Sequence, residues 1–252
     1  MSGSKQLDDG AGADAAFGTV TGNGGNWFEL LVVEDSDLRG WRLAWTEQED
    51  TPTAGTLTLS QDALWADVKA GSLLTFIETA DGGGSGINTA TDVSYDPLAG
   101  DWHFNVSTRE EQAKGAAGLV STTTNDGVAG DFSVGNKDWA LTILDATGAV
   151  VTPATGEGAP GYAGGGVGST EGFALEGPGA GATLADYAAI GADSPFYDDT
   201  SGTTFGSLNA DLQDDGSFVV QQDVSALRNA IPEPAGAALA LAGLALLAGR
   251  RR

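Results

Sequence analysis

One histidine and a large excess of carboxylates are the residues of this chain that could do chemistry. His103 is the only His in 252 residues, whereas Asp and Glu number 35. There is no Cys, which excludes a thiolate nucleophile, a thiolate metal site and a disulfide. A single His likewise excludes a multi-histidine metal centre within one chain. A catalytic His103 would need a nucleophile and an orienting partner beside it. Trp102, Phe104 and Val106 alternate onto one face of a strand, which leaves His103 on the opposite, solvated face with no partner nearby in sequence. It reads as an exposed strand histidine.

The carboxylates fall in short clusters: Glu34, Asp35 and Asp37; Asp198 and Asp199; Asp214 and Asp215. A glycosidase needs two carboxylates facing each other across a cleft at a set separation. In so acidic a chain, adjacent pairs arise from composition alone. The same groups suit Ca²⁺, a hard ion that takes about six to eight oxygens. Asp193–Asp199 and Asp211–Gly216 place such donors in turns, but neither has the EF-hand order. No metal ligand is assigned, and no cofactor is expected. Gly156-Glu157-Gly158-Ala159-Pro160-Gly161 has the formal spacing of a phosphate-binding loop. Pro160 denies it the helix such a loop must open, and Glu157 would repel the phosphate. Trp41 and Trp45, on one face of a strand, could stack sugars, but aromatics so placed are more often core.

The elements that must carry these residues are short strands. Trp27–Val33, Leu38–Trp45, Thr56–Leu59, Ser72–Ile77, Trp102–Val106 and Ser217–Val220 are apolar or alternate with period 2, and Trp139–Val151 reads as a hairpin turning at Asp145–Gly148. Gln61–Ala70 is expected to form a helical turn or two, with Ser60 as N-cap, Gly71 just past its end, and Leu64, Trp65 and Val68 facing inward. Gly (39) and Pro (8) make up about a fifth of the chain, so loops are long, above all across residues 152–182. Seven or more short strands with no long helical period predict an all-β sandwich or barrel.

Residues 1–230 hold 8 basic and 34 acidic side chains, a net charge of −26. Such a body repels nucleic acid and anionic lipid and attracts divalent cations. Nucleic-acid binding is therefore excluded.

The C-terminus has the opposite character. Ile231-Pro232-Glu233-Pro234 is followed by Ala235–Gly249, 15 consecutive uncharged residues of Ala, Leu and Gly, and then by Arg250, Arg251 and Arg252. As a helix, Ala235–Gly249 would be about 22 Å long against a hydrocarbon core of about 30 Å. A buried core helix is the alternative, but such a helix is not normally apolar all round and closed by three arginines. A membrane anchor with the arginines held cytoplasmic fits the pattern better. The order of parts closely resembles the PEP-CTERM sorting signal. The resemblance implies that Pro232, Glu233 and Pro234 are recognised by an exosortase-type enzyme in the membrane. Ala235–Gly249 would then be a transient anchor and Arg250–Arg252 its stop. The passenger would go to the cell envelope or an extracellular matrix, with exopolysaccharide or other surface proteins as its partners there. Residues 1–26 lack the basic start and apolar run of the signal peptide that the family requires. The expectation is therefore a late-called start or a removed leader.

Asn26–Leu43 resembles the opening of lamin-tail-like domains: Trp27, Glu29 and Leu30 supply its first strand, and Asp37, Leu38, Gly40 and Trp41 its turn and second strand. Thr203–Asn209 is similar to the closing motif of bacterial members, with Leu208 where that motif has Pro. This implies an immunoglobulin-like β-sandwich used as an interaction module. The layout expected is a flexible segment over residues 1–17, the sandwich over 18–225 and the sorting tail, with a short apolar helix, over 226–252. A non-catalytic exported surface or matrix protein is the function this implies. A carbohydrate-binding module would instead show Trp side chains in a row on one sheet face, and a secreted hydrolase two facing carboxylates in a cleft.

Overall fold

The computed structural model describes residues 27–46, 54–81, 88–124, 132, 140–156, 172–175, 197–200, 208, 210–212, 218–220 and 224–228. The strands are β1 (Trp27–Leu31), β2 (Arg42–Thr46), β3 (Ala54–Leu59), β4 (Leu73–Ile77), β5 (His103–Ser107), β6 (Val120–Thr124), β7 (Ala140–Leu144), β8 (Val150–Thr155), β9 (Gly172–Leu175), β10 (Tyr197–Thr200), β11 (Ala210–Leu212) and β12 (Phe218–Val220). Among the described residues two short α-helices, α1 (Thr108–Ala113) and α2 (Ser225–Arg228), accompany them. The protein is all-β.

Two sheets enclose one core. The smaller has the order β1-β4-β5 and the larger β6-β3-β2-β7-β8. β1 pairs antiparallel with β4, and β4 pairs parallel with β5. All five residues of β4 are buried, as expected of a central strand covered on both faces. Phe28, Leu74, Phe76, Phe104 and Val106 from the small sheet meet Leu43, Trp45, Leu57, Leu59, Val120 and Leu141 from the large one in a single apolar cluster. Phe132 bridges the layers, its ring edge-on to both Phe28 and Trp45, each at 5.3 Å between centroids. β9 pairs with β10, and β11 with β12, as two further antiparallel ribbons.

The expected alternation on β2 holds: Leu43 and Trp45 are buried, with Trp41 half-buried against the same cluster. The strand itself begins only at Arg42, because Gly40 turns the chain with φ +75°. The hairpin of β7 and β8 forms as read. Gly148 takes φ +92°, and Asp145 Oδ1 accepts hydrogen bonds from the amides of Thr147 and Ala149.

The helix expected over Gln61–Ala70 shrinks to a 3-10 turn, Ala63–Asp67, capped by Asp62 rather than Ser60. Competing bonds explain this. The amide of Leu38 donates to the Trp65 carbonyl (2.8 Å), and Val68 exchanges two backbone bonds with Ser36. Those groups are then lost to a helical ladder. Trp65 and Val68 still point inward, both fully buried. α1, β6, β9, β10 and β11 were not expected, and β9, like the end of β8, falls within the stretch 152–182 expected as loop. The readings that rest on the N-terminal segment 1–26, on Trp139, on residues 157–171, on the motif Thr203–Asn209 except Leu208, and on the tail from residue 229 lie outside the described residues.

A contact between neighbouring strands makes the core checkable. Trp45 stands opposite Gly55 in the β2–β3 register, and a Cβ on Gly55 would run into the Trp45 ring and the Thr123 carbonyl. Gly55→Ala is expected to lower unfolding stability by about 1–3 kcal/mol, as overpacking does, in urea titration followed by Trp fluorescence. An unchanged midpoint would mean that the Trp45 ring does not lie there.

Candidate functional site

His103 is half-buried and partnered, not exposed. Its Nε2 lies 2.8 Å from Thr75 Oγ1, and Thr75 Oγ1 lies 2.7 Å from Glu29 Oε1. The register explains the line: Glu29 faces Thr75 directly across β1 and β4, while His103, at the start of β5, reaches the same point diagonally. Thr75 has one hydroxyl proton and gives it to the carboxylate, so the His103 Nε2–H must be the donor to Thr75. In this arrangement the imidazole does not draw a proton from the hydroxyl, and Thr75 is fully buried. The Glu-Thr-His line joins three strands across the small sheet. Sequence spacing could not reveal it, because its members come from three separate strands.

Around β5 the polar side is covered rather than solvated. Asn105 and Ser107 are fully buried. The Asn105 amide nitrogen donates to the carbonyls of Thr89 (2.7 Å) and Ala90 (2.9 Å), and its backbone exchanges two bonds with Asp92. α1 continues this cover. Glu111 is 1% exposed, the only acid buried so deeply among the described residues. Its Oε1 accepts from Lys114 Nζ at 2.6 Å and its Oε2 from the Leu119 amide at 2.9 Å. Burial pushes the Glu111 carboxyl up. The Lys114 ammonium, the Leu119 N–H and the Thr91 hydroxyl outweigh it and hold the group below its ordinary value. Gln112 Oε1 accepts from the Thr122 amide, so α1 ties β5 to β6.

Two of the clustered acids, Asp35 and Asp37, serve as local ties. Arg39 donates to both oxygens of Asp37 through its guanidinium, and its amide donates as well, which lowers the Asp37 carboxyl to about 2. Asp35 accepts from the Ala70 amide (2.9 Å) and from Lys69 Nζ (3.0 Å); the amide bond is the larger cause of its lowered pKa. Lys69 also reaches Asp67 at 2.6 Å. No group of three or more His, Asp or Glu is placed to hold a metal ion among the described residues. Asp198 and Asp199 lie on β10 and Asp211 on β11, while Asp193, Asp214 and Asp215 lie outside the described residues. Of the loop at 156–161, only Gly156 is described, with φ +130°. Trp45 is 2% exposed, which removes it as a sugar-stacking surface.

The corner held by Asp35 and Lys69 leads to the place where the C-terminal segment meets the body. Gly71 turns there with φ +88°, its amide bonded to the Val32 carbonyl. Tyr95 Oη accepts from the Lys69 amide and bonds the Ser72 hydroxyl, bracing the same corner. Against it docks α2. Val224 and Leu227 bury themselves on Ala70, beside Leu31, Val33 and Leu208. Arg228 Nε donates to the Gly71 carbonyl at 2.9 Å, and its guanidinium lies 5.1 Å from the centroid of the Trp102 ring. A Cβ on Gly71 would strike the Arg228 side chain. Sequence reading missed this dock, whose one legible signal is a lone basic residue, Arg228, just ahead of the Pro-Glu-Pro triplet. Pro232, Glu233 and Pro234, with Arg250, Arg251 and Arg252, lie outside the described residues. Among the described residues, no helix is long and apolar enough to cross a membrane.

Comparison with protein-family models, with curated proteins and with solved structures found no match for this chain.

Glu111 supplies a pH test. A carboxyl whose folded pKa is depressed contributes stability above its ordinary range of about 4.3, and that contribution is lost as pH falls through the folded value. Stability is therefore expected to fall below about pH 4.5. Glu111→Gln should cost about 1–3 kcal/mol at neutral pH and flatten the acid fall. Denaturant titrations of both proteins from pH 3 to 7 check this, and parallel pH profiles would refute it.

Proposed function

We propose that this chain is a non-catalytic, exported surface or matrix protein, an immunoglobulin-like sandwich of the lamin-tail kind sorted through a PEP-CTERM tail. The observation that carries the reading is the order of three parts at the C-terminus: Pro232-Glu233-Pro234, the uncharged run Ala235–Gly249, and Arg250–Arg252. An apolar span closed by three cations partitions into a bilayer and is held there by the positive-inside bias.

Two sheets closed on one aromatic core support the sandwich part of this reading. The opening motif is compatible with it: Trp27, Glu29 and Leu30 lie on β1, and Asp37 to Trp41 lie in the turn that precedes β2. The use of Asp35, Asp37 and Glu111 in ion pairs and amide bonds favours a structural over a hydrolytic role for them. The tail would be recognised by an exosortase-type membrane enzyme and the body left in the envelope or an exopolysaccharide matrix.

Expression in the native host from the upstream in-frame sequence, followed by fractionation and intact-mass measurement, tests this. The expected product is in the envelope or medium and has lost the tail beyond about Ile231, as the anchor-and-release reading requires. Full-length protein in the cytoplasm would refute both the sorting and the localisation.

A further inference from the structure

We propose that the outward face of the large sheet binds a carboxylated sugar unit. Arg42 takes the carboxylate, and the hydroxyls of Thr56, Thr58 and Thr142 meet those of the sugar. The inference does not depend on the reading of the tail. It starts on β2, where Leu43 and Trp45 are buried in the core and Arg42 and Ala44 face outward. The register carries that face across the sheet. Arg42 stands opposite Thr58 on β3 and Leu144 on β7, and Thr58 opposite Ser121 on β6. In the next row Ala44 stands opposite Thr56 and Thr142, and Thr56 opposite Thr123. Ser121 and Thr123 are exposed, and Arg42, Thr56, Thr58 and Thr142 are half-buried, so this face is open. Neither row holds a carboxylate, in a chain that has 35 of them.

Arg42 sets this face apart. Arg39, Lys69, Arg109 and Lys114 are each ion-paired, and Arg228 bonds the Gly71 carbonyl. The Arg42 guanidinium alone has neither an ion pair nor a hydrogen bond among the described residues. It lies against the β7–β8 turn, where a Cβ on Gly148 would strike its Nη2. The carboxylate of that turn, Asp145, is committed to Thr147 and the Ala149 amide instead. A guanidinium offers a planar fork of donors that matches a carboxylate. Beside it, Thr hydroxyls both donate and accept, as sugar hydroxyls do. Neighbouring strands stand about 4.8 Å apart, so adjacent hydroxyls can reach adjacent groups of one sugar ring. Leu144 and Val150 face each other across β7 and β8, with Val150 60% exposed, and give the C–H face of the ring an apolar strip. An acidic peptide would satisfy Arg42 but leave the hydroxyl rows unmatched, so the combination favours a sugar acid.

The test is titration of the isotope-labelled full chain with trigalacturonate, followed by amide shifts in NMR. Saturable shifts are expected at Arg42, Thr58 and Thr142. Arg42→Gln should weaken binding about tenfold or more, and it should leave the urea midpoint near wild type, since no ion pair is lost. Thr58→Asp sets a carboxylate directly across the strand pair from Arg42 and should abolish binding with Arg42 in place. If Arg42→Gln lowers the midpoint, Thr58→Asp decides, and binding that survives it overturns the site. Absence of saturable shifts with trigalacturonate would overturn the proposal outright. Maltotriose, which has no carboxylate, is run beside it, and equal affinity would remove the role of Arg42. Triglutamate has carboxylates without sugar hydroxyls, and equal affinity for it would overturn the sugar as the ligand.

Discussion

Covering both faces of β4 is the constraint on which the rest of this structure depends. A strand buried on both faces needs cover on each, and any polar group there needs a partner. On the inner side Leu74 and Phe76 meet Phe28, Trp65 and Phe104, with Phe28 and Phe76 stacked at 5.0 Å. Phe132 and Trp45 carry the contact across to the large sheet. On the outer side Thr75 is closed over by Glu29 and His103, each through a hydrogen bond to one hydroxyl. β5 pairs with β4 in parallel, which requires a connection long enough to return to the same end of the sheet.

That connection is where polar groups are buried and must be matched. Asn105 binds the carbonyls of Thr89 and Ala90 on the passing chain, and Thr91 Oγ1 accepts from the Ser107 amide. Glu111 then fastens the turn that follows α1 through the Leu119 amide, while Leu119 gives its carbonyl to the Trp65 indole. A charge so deeply buried is tolerated because Lys114 and a backbone N–H share it. The close approach of Gly118 to the Glu111 carbonyl, where a Cβ would collide, shows how tightly that turn is drawn in. Removing one member strands others, so the network behaves as a unit.

What was legible in the sequence was periodicity and turn chemistry. The inward faces of β2 and β5, the full burial of β4 and the Asp145–Gly148 hairpin all follow from local pattern, and the structure has them. What was not legible arises from pairing between distant segments. The helix expected at Gln61–Ala70 fails because residues 36–38 take its backbone groups. His103 finds Thr75 and Glu29 only after three strands have aligned. β6, rich in Ser and Thr, carries too little apolar signal for sequence pattern to reveal it; its Val120 and Thr122 are buried by position in the sheet. The acids Asp35 and Asp37 could be seen as a cluster, but not which amides they would cap.

The junction at α2 joins the two kinds of sequence in this chain. An acidic, turn-rich body and an uncharged tail with a cationic end favour opposite surroundings, and a short linker must reconcile them. Arg228 is the last described residue and is tied to the body by a hydrogen bond to the Gly71 carbonyl and a ring contact with Trp102. Gly71 can accept it because a glycine in the left-handed region has no Cβ to obstruct the approach. The same corner is held by Lys69 between Asp35 and Asp67, whose carboxylates raise its pKa and keep it charged. The seat is built from residues at the ends of the small sheet's strands: Leu31 and Val33 at the end of β1, Ala70 and Gly71 before β4, and Trp102 before β5. Docking of α2 is therefore coupled to the sheet that His103, Thr75 and Glu29 tie together.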